Sequence, residues 1–257
     1  MATLRLRVRY FQDSTPEGVP CREENFIRRE IDMDLPVHQA ALVLVDVWNA
    51  HFIESWLDRA ARVTREAVAP VLQHAREVGI TVVHAPSPGV AERFPQLERH
   101  TPPEPRPDPV WPPAEFRHRQ GAYAAYRGPR SQPPGIPDIP DLGMSPAIDV
   151  RDEEFVIATG QQLHDLLTER RILHLLFVGF ATNWCIRNRD YGMPAMASRS
   201  YNTILLRDAT MGVEYPDTVE TCLATEIAIR ECEQQNGFSA SNADFFAACA
   251  AVERSGP

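Results

Sequence analysis

The chain has 257 residues, of which 44% are hydrophobic and 24% are charged, and this composition is sufficient for one globular core. Its net charge of -9 argues against a nucleic-acid partner, because proteins that bind phosphate backbones need clustered positive charge. The N-terminal sequence has no apolar stretch of signal-peptide or transmembrane length. We therefore expect a soluble cytoplasmic protein that acts on a small molecule, without a nucleic-acid or membrane partner.

The chemistry available to the chain is limited by its basic residues and cysteines. All 26 basic residues are arginines, so no lysine amine is available for catalysis. The five cysteines are widely spaced and include no CxxC pair. This pattern argues against a disulfide framework or a zinc ribbon and favours free thiols in a reducing compartment. The cysteines are Cys21, Cys185, Cys222, Cys232 and Cys249.

The predicted elements follow an alternating order along the chain. The N-terminal extension, residues 1–37, contains two stretches that could pair as a hairpin at a sheet edge or reach a neighbouring subunit. Short apolar runs then predict buried strands, and apolar residues at three- and four-residue spacing predict helices between them. The predicted strands are 42–45, 80–83, 155–157, 173–178 and 203–206, and the predicted helices are 56–78, 160–170, 183 into the 190s and 217–233. The sequence therefore predicts a doubly wound α/β fold, a mostly parallel sheet with helices on both faces.

A proline-rich segment, residues 100–147, interrupts this alternation. It holds more than half of the 23 prolines, so regular helix or central strand is not expected there. Two interpretations stay open, a lid over the functional site and a disordered surface excursion. We treat 1–257 as a single domain that carries this insertion.

Polar residues follow the apolar strands where a parallel sheet would gather them. Asp46 comes directly after the first strand and His84 ends the second. Thr182 and Cys185 come after the fourth strand, at the expected start of a helix. Because ligands bind beyond the carboxyl ends of parallel strands, we expect these side chains to face one crevice.

Cys185 and Asp46 together predict an acyl-transfer site. The start of a helix favours thiolate over thiol, and a nearby carboxylate can accept the thiol proton. Backbone N–H groups of Ala181, Thr182 and Cys185 could form an oxyanion hole. Taken separately, the cysteine could be a core residue and the aspartate a structural hydrogen-bonding group. The pairing favours the catalytic interpretation.

The neighbouring aromatic and polar residues are candidates for substrate binding. They are Trp48, Asn49, His51 and Trp184. Core packing explains buried tryptophans equally well. His51 and His84 could bind substrate, be satisfied within the rim, or ligate a divalent metal, although no tight motif such as HExxH supports a metal. We expect no cofactor. Arg207 and Asp208, near the end of the last strand, could line the rim or form a structural pair.

Three segments resemble the isochorismatase-like cysteine hydrolases, a superfamily that includes nicotinamidases and N-carbamoylsarcosine amidase. They are ALVLVDVWNAHF, GFATNWC and ILLRDAT, and the resemblance covers residues 38–250 without the insertion. It implies that Cys185 is the nucleophile, that Asp46 is the general base and that the Ala181–Thr182 peptide is cis. It also implies a homodimer or homotetramer and a small non-peptide amide or ureide as substrate.

The chain departs from this family at one catalytic position. The family places a lysine just after the third core strand, where this chain has Ala158 and Thr159. A cation is needed there, because a thiolate and Asp46 would otherwise repel each other. We expect His84 to supply it, with His51, Arg151 and Arg127 as alternatives.

Three functional hypotheses follow. The first is a cysteine-dependent hydrolase that acts through a covalent acyl-enzyme. The second is a catalytically silent relative that binds a metabolite or partner in the same pocket. The third is a metal-assisted amidase that uses His51 and His84.

Overall fold

A computed structural model of the chain describes residues 2–104, 110–117, 121–122, 139 and 141–254. The described strands form one eight-stranded sheet. In chain order they are β1 (Thr3–Gln12), β2 (Ile27–Pro36), β3 (Ala40–Val45), β4 (Thr81–Ala85), β5 (Phe155–Val156), β6 (His174–Phe180), β7 (Asn202–Met211) and β8 (Phe238–Ala240). Their order across the sheet is β2-β1-β8-β7-β6-β3-β4-β5.

The helices alternate with these strands. They are α1 (Glu54–Val63), α2 (Ala69–Val78), α3 (Pro88–Ala91), α4 (Ala114–Arg117), α5 (Gly160–Arg170), α6 (Cys185–Asn188), α7 (Met193–Ser198), α8 (Leu223–Glu231) and α9 (Asn242–Arg254). A π-helical turn, Thr64–Val68, joins α1 to α2, and a second one, Cys232–Asn236, extends α8. Short 3-10 helices lie at Glu23–Asn25, Val37–Gln39 and Pro95–Arg99.

The strand directions confirm the predicted mostly parallel α/β fold. From β8 to β5, every neighbouring pair of strands is parallel. β1 is antiparallel to both β2 and β8, so the N-terminal extension forms the predicted hairpin at one edge of the sheet. Homo-oligomer formation stays a prediction.

Hydrophobic cores lie on both faces of the sheet because β3 is buried along its whole length. Leu42 and Leu44 pack on one side against Trp56 of α1, together with residues of α2 and α9. Val43 and Val45 pack on the other side with residues of α5 and α7. Burial of each leucine or valine side chain contributes about 1.5–3 kcal/mol, so this double packing fixes the level at which β3 ends.

A close approach of two backbones sets the distance between β3 and β6 at their carboxyl ends. Gly179 pairs with Val45 and has a φ of 103°, in the region that favours glycine. A Cβ atom added at Gly179 would lie 2.1 Å from the Val45 carbonyl oxygen. The absent side chain therefore allows the residues that follow β6 to lie beside the residue that follows β3.

The structure differs from the sequence-based prediction in two details of the sheet. β8 was not predicted, since three residues give too short an apolar signal. β7 continues to Met211, so Arg207 and Asp208 lie within the strand and not at its rim. The Asp208 carboxylate accepts a hydrogen bond from the N–H of Asn242 at the start of α9, a structural role.

Candidate active site

Asp46 lies at the carboxyl end of β3 and is fully buried. Its N–H donates to the Ala85 carbonyl at 3.1 Å, and its φ of 44° turns the chain away from the sheet. The carboxylate accepts hydrogen bonds from two side chains. Ser87 Oγ donates to Oδ1 at 2.8 Å, and Arg189 Nε donates to Oδ2 at 2.9 Å, while Arg189 Nη2 lies 2.9 Å from the same oxygen as an ion pair. The buried carboxylate therefore has a hydrogen-bond donor on each oxygen and one positively charged neighbour.

Cys185 begins α6, and its thiol lies beside the Asp46 carboxylate. Burial raises the pKa of the Cys185 thiol, and the adjacent Asp46 raises it further, to about 12, against a smaller lowering by Arg189. The expectation of a thiolate favoured by the helix start is therefore wrong. α6 has only four residues, so its dipole is weak beside the burial and the negative charge of Asp46.

The backbone between β6 and α6 brings Cys185 toward Asp46. The peptide between Phe180 and Ala181 is cis, one peptide earlier than the resemblance implied. The Ala181 carbonyl accepts from the N–H groups of Trp184 and Ile186, at 3.0 and 3.2 Å. A backbone hydrogen bond from Ala181 to the Cys185 sulfur lowers the pKa of the thiol slightly.

The predicted oxyanion hole is changed by this geometry. The Thr182 N–H donates to the Met211 carbonyl at 3.1 Å, so it is already used within the protein and the prediction for Thr182 is not supported. Its hydroxyl is also paired, with Thr210 Oγ1 at 2.7 Å. Within the residues described, no acceptor is found for the Cys185 N–H. The Cys185 N–H is therefore the remaining candidate, since the Ala181 N–H donates to the Cys185 sulfur.

Arg189 follows α6 and is held by contacts on both sides. Its N–H donates to the Cys185 carbonyl at 3.1 Å. The next residue, Asp190, accepts a hydrogen bond from the Gly160 N–H at 2.8 Å. The hydroxyl of the buried Tyr191 donates to the Pro86 carbonyl at 3.2 Å. The guanidinium also lies 5.9 Å from the centre of the Tyr191 ring.

The structure shows why no residue near Ala158 reaches the site. Thr159 is the N-cap of α5, and its side chain accepts a hydrogen bond from the Gln162 N–H. Gln162 Oε1 in turn accepts from the backbone N–H groups of Ala158 and Thr159, at 2.8 and 3.2 Å. This capping box starts α5 at Gly160, three residues after Ile157, and fixes the backbone of Ala158 and Thr159 at the start of the helix.

His84 does not supply the cation that the sequence led us to expect beside Asp46. It is fully buried, and its Nε2 lies 2.7 Å from Glu154 Oε2. Arg76 of α2 donates to the same carboxylate at 2.6 and 3.0 Å. His84 alternates along β4 with residues that face the other core, so its side chain points toward α2. The charge beside Asp46 comes from Arg189 instead.

A cavity of about 390 Å³ lies beside Cys185 and Arg189. Its walls include the predicted residues Trp48, His51 and Trp184, together with Phe52. The Trp48 and His51 rings are stacked, with centroids 5.4 Å apart. Ile139 and Leu142, from the end of the proline-rich insertion, complete the apolar lining.

Asn49 has a structural position and not the expected place in the cavity wall. Its Nδ2 donates to the Asp141 carbonyl at 3.0 Å, and its Oδ1 accepts from the Gly143 N–H at 2.7 Å. Ser145 N–H also donates to the Val47 carbonyl at 2.8 Å. These bonds fasten the C-terminal end of the insertion to the loop after β3. Most of residues 105–140 lie outside the described part of the chain.

The histidines do not share a metal site. His84 is paired with Glu154, whereas His51 Nδ1 accepts from the Ile53 N–H at 3.1 Å, among aromatic rings. No group of three or more histidine, cysteine, aspartate or glutamate side chains in the described ranges could hold a metal ion. Of the alternative cations, Arg151 is half-exposed near Asp149, and Arg127 lies outside the described residues.

No described helix is long and apolar enough to cross a bilayer.

Two residues that contact Asp46 were not predicted from the sequence. They are Ser87 and Arg189. Ser87 stands two residues after β4, at the same rim of the sheet. Arg189 stands four residues after Cys185, so it belongs to the turn that follows the predicted nucleophile. Ser87 carries the signal of a polar residue just after a strand. Arg189 follows a short helix, and arginines are too numerous in this chain for its position to single it out.

A larger cavity, of about 790 Å³, lies between residues 88–103 and the start of α5. It is lined by Phe94, Leu97, His100 and Thr159 among others, and it contains neither Cys185 nor Asp46. The smaller cavity is the one lined by Cys185 and by Ser87 and Arg189, the two side chains bonded to Asp46.

Comparisons with known proteins identify the family of the chain. The family model described as the isochorismatase domain matches residues 40–224. No curated protein matches the chain.

Solved structures share the fold at low sequence identity. A cysteine hydrolase from Pseudomonas syringae pv. phaseolicola 1448A is 17% identical, with a TM-score of 0.57 over 85% of this chain and 95% of that one. An isochorismatase family protein from Burkholderia thailandensis is 18% identical, with a TM-score of 0.51 over 83% of this chain and 96% of that one. N-carbamoylsarcosine amidase from Thermoplasma acidophilum is 18% identical over 79% of this chain and 96% of that one, with a TM-score of 0.45 that is too low to carry an argument.

Proposed function

Because the chain belongs to the isochorismatase family of hydrolases, we propose that it hydrolyses a small non-peptide amide, ureide or related carbonyl compound through a covalent intermediate on Cys185. The position of the Cys185 thiol at the wall of a cavity, beside the buried Asp46 carboxylate, carries this proposal. A nucleophile and its base within hydrogen-bonding contact are the requirement for covalent acyl transfer.

The first step joins the sulfur to the substrate. Because the pKa of the Cys185 thiol is raised to about 12, the thiol is protonated at neutral pH and must lose its proton as it attacks. The proton passes to Asp46 while the sulfur forms a bond to the carbonyl carbon. The carbonyl π electrons move to oxygen, and the Cys185 N–H is the candidate donor to the developing oxyanion.

The second step breaks the carbon–nitrogen bond. The oxyanion re-forms the carbonyl, and the leaving nitrogen departs with the proton that Asp46 accepted. The product is an acyl thioester on Cys185 and a free amine or ammonia. A water molecule then attacks the thioester, Asp46 takes its proton, and that proton returns to the sulfur as the acid leaves. The same carboxylate therefore transfers one proton in each half of the reaction, first from the thiol to the leaving nitrogen and then from water to the sulfur.

The cavity indicates the shape of the acyl group. Its volume of about 390 Å³ is at the lower end of the range for small-molecule sites. Trp48, Phe52 and Trp184 provide flat apolar walls, and Arg189 is the cation among its described lining residues. We infer a small substrate with a planar or apolar portion next to the scissile carbonyl.

Turnover of a panel of small amides and ureides, followed as released ammonia or amine, tests the proposal. We expect Cys185→Ala to abolish turnover, whereas Cys21→Ala, which removes an exposed cysteine, should leave it unchanged. Full turnover by Cys185→Ala would refute the proposal. Tight binding of panel compounds in the cavity without any turnover would favour the silent relative.

A further inference from the structure

We propose that Arg189 replaces the family lysine as the cation beside Cys185 and Asp46. It lies in the turn after α6 and not in the segment after β5, where the family has its lysine. The inference rests on the proposed function of Cys185 and Asp46. Arg189 is a further residue that takes part in this chemistry. Unlike a lysine, it carries a charge that does not titrate.

The contacts of Arg189 are those of a group that positions a base. Nε and Nη2 both lie 2.9 Å from Asp46 Oδ2, and Nη2 also donates to Ser87 Oγ at 2.9 Å. Ser87 Oγ accepts a third contact from Trp48 Nε1 at 3.2 Å while it donates to Asp46 Oδ1. Both carboxylate oxygens are therefore tied to one guanidinium, directly or through one hydroxyl, which fixes the plane of the carboxylate beside the thiol.

Charge balance supports the same assignment. Asp46 is fully buried, and Arg189 is its ion-pair partner among the described residues. A buried carboxylate without a cation would take up a proton and could not act as a base. Arg189 also lowers the pKa of the Cys185 thiol, against the larger effects of burial and Asp46.

The segment where the family lysine is missing lies in direct contact with the segment that carries Arg189. A Cβ atom at Gly160 would lie 2.0 Å from the Asp190 carbonyl oxygen, so the start of α5 packs directly on the segment that carries Arg189. In this chain the capping box begins α5 directly after Ala158 and Thr159, the positions where the family has its lysine. The turn 189–191 lies against the start of this helix.

The titratable groups that face Arg189 are Asp46, Cys185 and Tyr191. Burial raises the pKa of Tyr191 far above its usual range, so this hydroxyl stays neutral. Burial lowers the pKa of Arg189, but Asp46 and the other two groups outweigh burial and raise it. Since an arginine does not lose its proton in this environment, the cation persists at every pH at which the protein is folded.

Alkylation of Cys185 by iodoacetamide, followed by peptide mass spectrometry between pH 6 and 11, tests the inference without any substrate. The exposed Cys21 serves as a reference thiol in the same molecule. The variants are Arg189→Met, Arg189→Lys and a control, Arg187→Met. Arg187 lies in α6, two residues earlier, and pairs with Glu231 instead of Asp46.

We expect Arg189→Met to slow alkylation of Cys185 about tenfold at pH 9. The rise of the alkylation rate with pH should also shift to higher pH, because the loss of a nearby cation disfavours the Cys185 thiolate and the Asp46 carboxylate. Arg189→Lys should match the native rate at neutral pH and fall below it above about pH 10, where a lysine loses its proton. Arg187→Met should follow the native profile. If Arg189→Met does not fold, the alkaline divergence of Arg189→Lys remains as the test.

Three results would each overturn the inference: native alkylation rates in Arg189→Met, equal slowing in Arg187→Met, or an Arg189→Lys profile without an alkaline divergence. The outcome is independent of the amide panel. If no panel compound is turned over but alkylation follows the expected pattern, the proposed function fails and the role of Arg189 in tuning the Cys185–Asp46 pair stands.

Discussion

The Gly160 N–H donates to the Asp190 carboxylate at 2.8 Å, and the Gly160 Cα packs against the Asp190 backbone without space for a side chain. This contact joins the start of α5 to the turn that carries Arg189. It connects the place where the family lysine is missing with the residue that contacts Asp46. The position of the guanidinium therefore depends on a residue without a functional group.

Gly160→Ala should disturb the site through this contact. The added Cβ would meet the Asp190 carbonyl oxygen at 2.0 Å, so the turn must shift. We expect a loss of about 1–3 kcal/mol in the free energy of unfolding, typical of overpacking, together with slower alkylation of Cys185. Urea unfolding and iodoacetamide kinetics measure both effects. Gly89→Ala is the matched control, because an added Cβ there has no atom within 4 Å, and equal effects in both variants would contradict the account.

Ser87→Ala should reduce turnover without unfolding the protein. The change removes the donor to Asp46 Oδ1 and the acceptor of Arg189 Nη2 and Trp48 Nε1. We expect kcat to fall about tenfold, consistent with the loss of one or two hydrogen bonds to a charged group. Ser198→Ala, on the exposed face of α7, should retain the native kcat. Native kcat in Ser87→Ala would show that the hydroxyl does not help to position the carboxylate.

Asn49→Ala should loosen the insertion over the cavity. Asn49 is bonded on both sides to residues 141–143, which place Leu142 against the substrate cavity. Without these bonds we expect KM to rise several-fold while kcat changes less, since the loop contributes to binding and not to the reacting group. Asn25→Ala is the control, because Asn25 lies in the 3-10 helix between β1 and β2 and its Nδ2 donates to the Pro20 carbonyl. A fall in kcat at constant KM would contradict this division of roles.

The lowered pKa of Glu154 makes the free energy of unfolding depend on pH. Burial acts to raise the pKa of the Glu154 carboxyl, but hydrogen bonds from His84 and Arg76 outweigh burial and lower the pKa from 4.5 to about 2. A carboxyl whose folded pKa is depressed stabilises the protein above its unfolded pKa and loses that effect as the pH falls through the folded pKa. The contribution of Glu154, about 3 kcal/mol at neutral pH, should therefore disappear between about pH 5 and 2.

Glu154→Gln checks this linkage. The variant should be less stable than the native protein at pH 7 and should lose less stability on acidification, as measured by urea unfolding at a series of pH values. Glu153→Gln changes the exposed neighbouring residue and should preserve the native pH dependence. An acid response in Glu154→Gln as steep as in the native protein would assign the effect to other groups.

The fold could be predicted from the sequence because the buried strands and amphipathic helices leave periodic signals. The strands that include Val43 and Phe177 are unbroken apolar runs, and the helix at 160–170 was predicted to the residue. β8 left no such signal, because a three-residue strand is defined by its neighbours in the sheet.

The candidate site could be predicted only in part. Cys185 and Asp46 follow strands that the sequence shows to be adjacent, so their meeting was predictable. The orientation of a side chain on its strand decided the fate of His84, which faces Glu154 and Arg76. The contact of Arg189 with Asp46 joins residues 143 positions apart and depends on the packing of the turn after α6, which no local pattern encodes.

The most direct measurement is peptide mass spectrometry of the protein quenched during turnover of a compound selected from the amide and ureide panel. The account predicts a mass increase on the Cys185 peptide equal to the acyl part of the substrate, absent from Cys185→Ala and formed much more slowly in Asp46→Asn. Turnover without an adduct on Cys185 in the native protein, or an adduct that forms equally fast in Asp46→Asn, would contradict it.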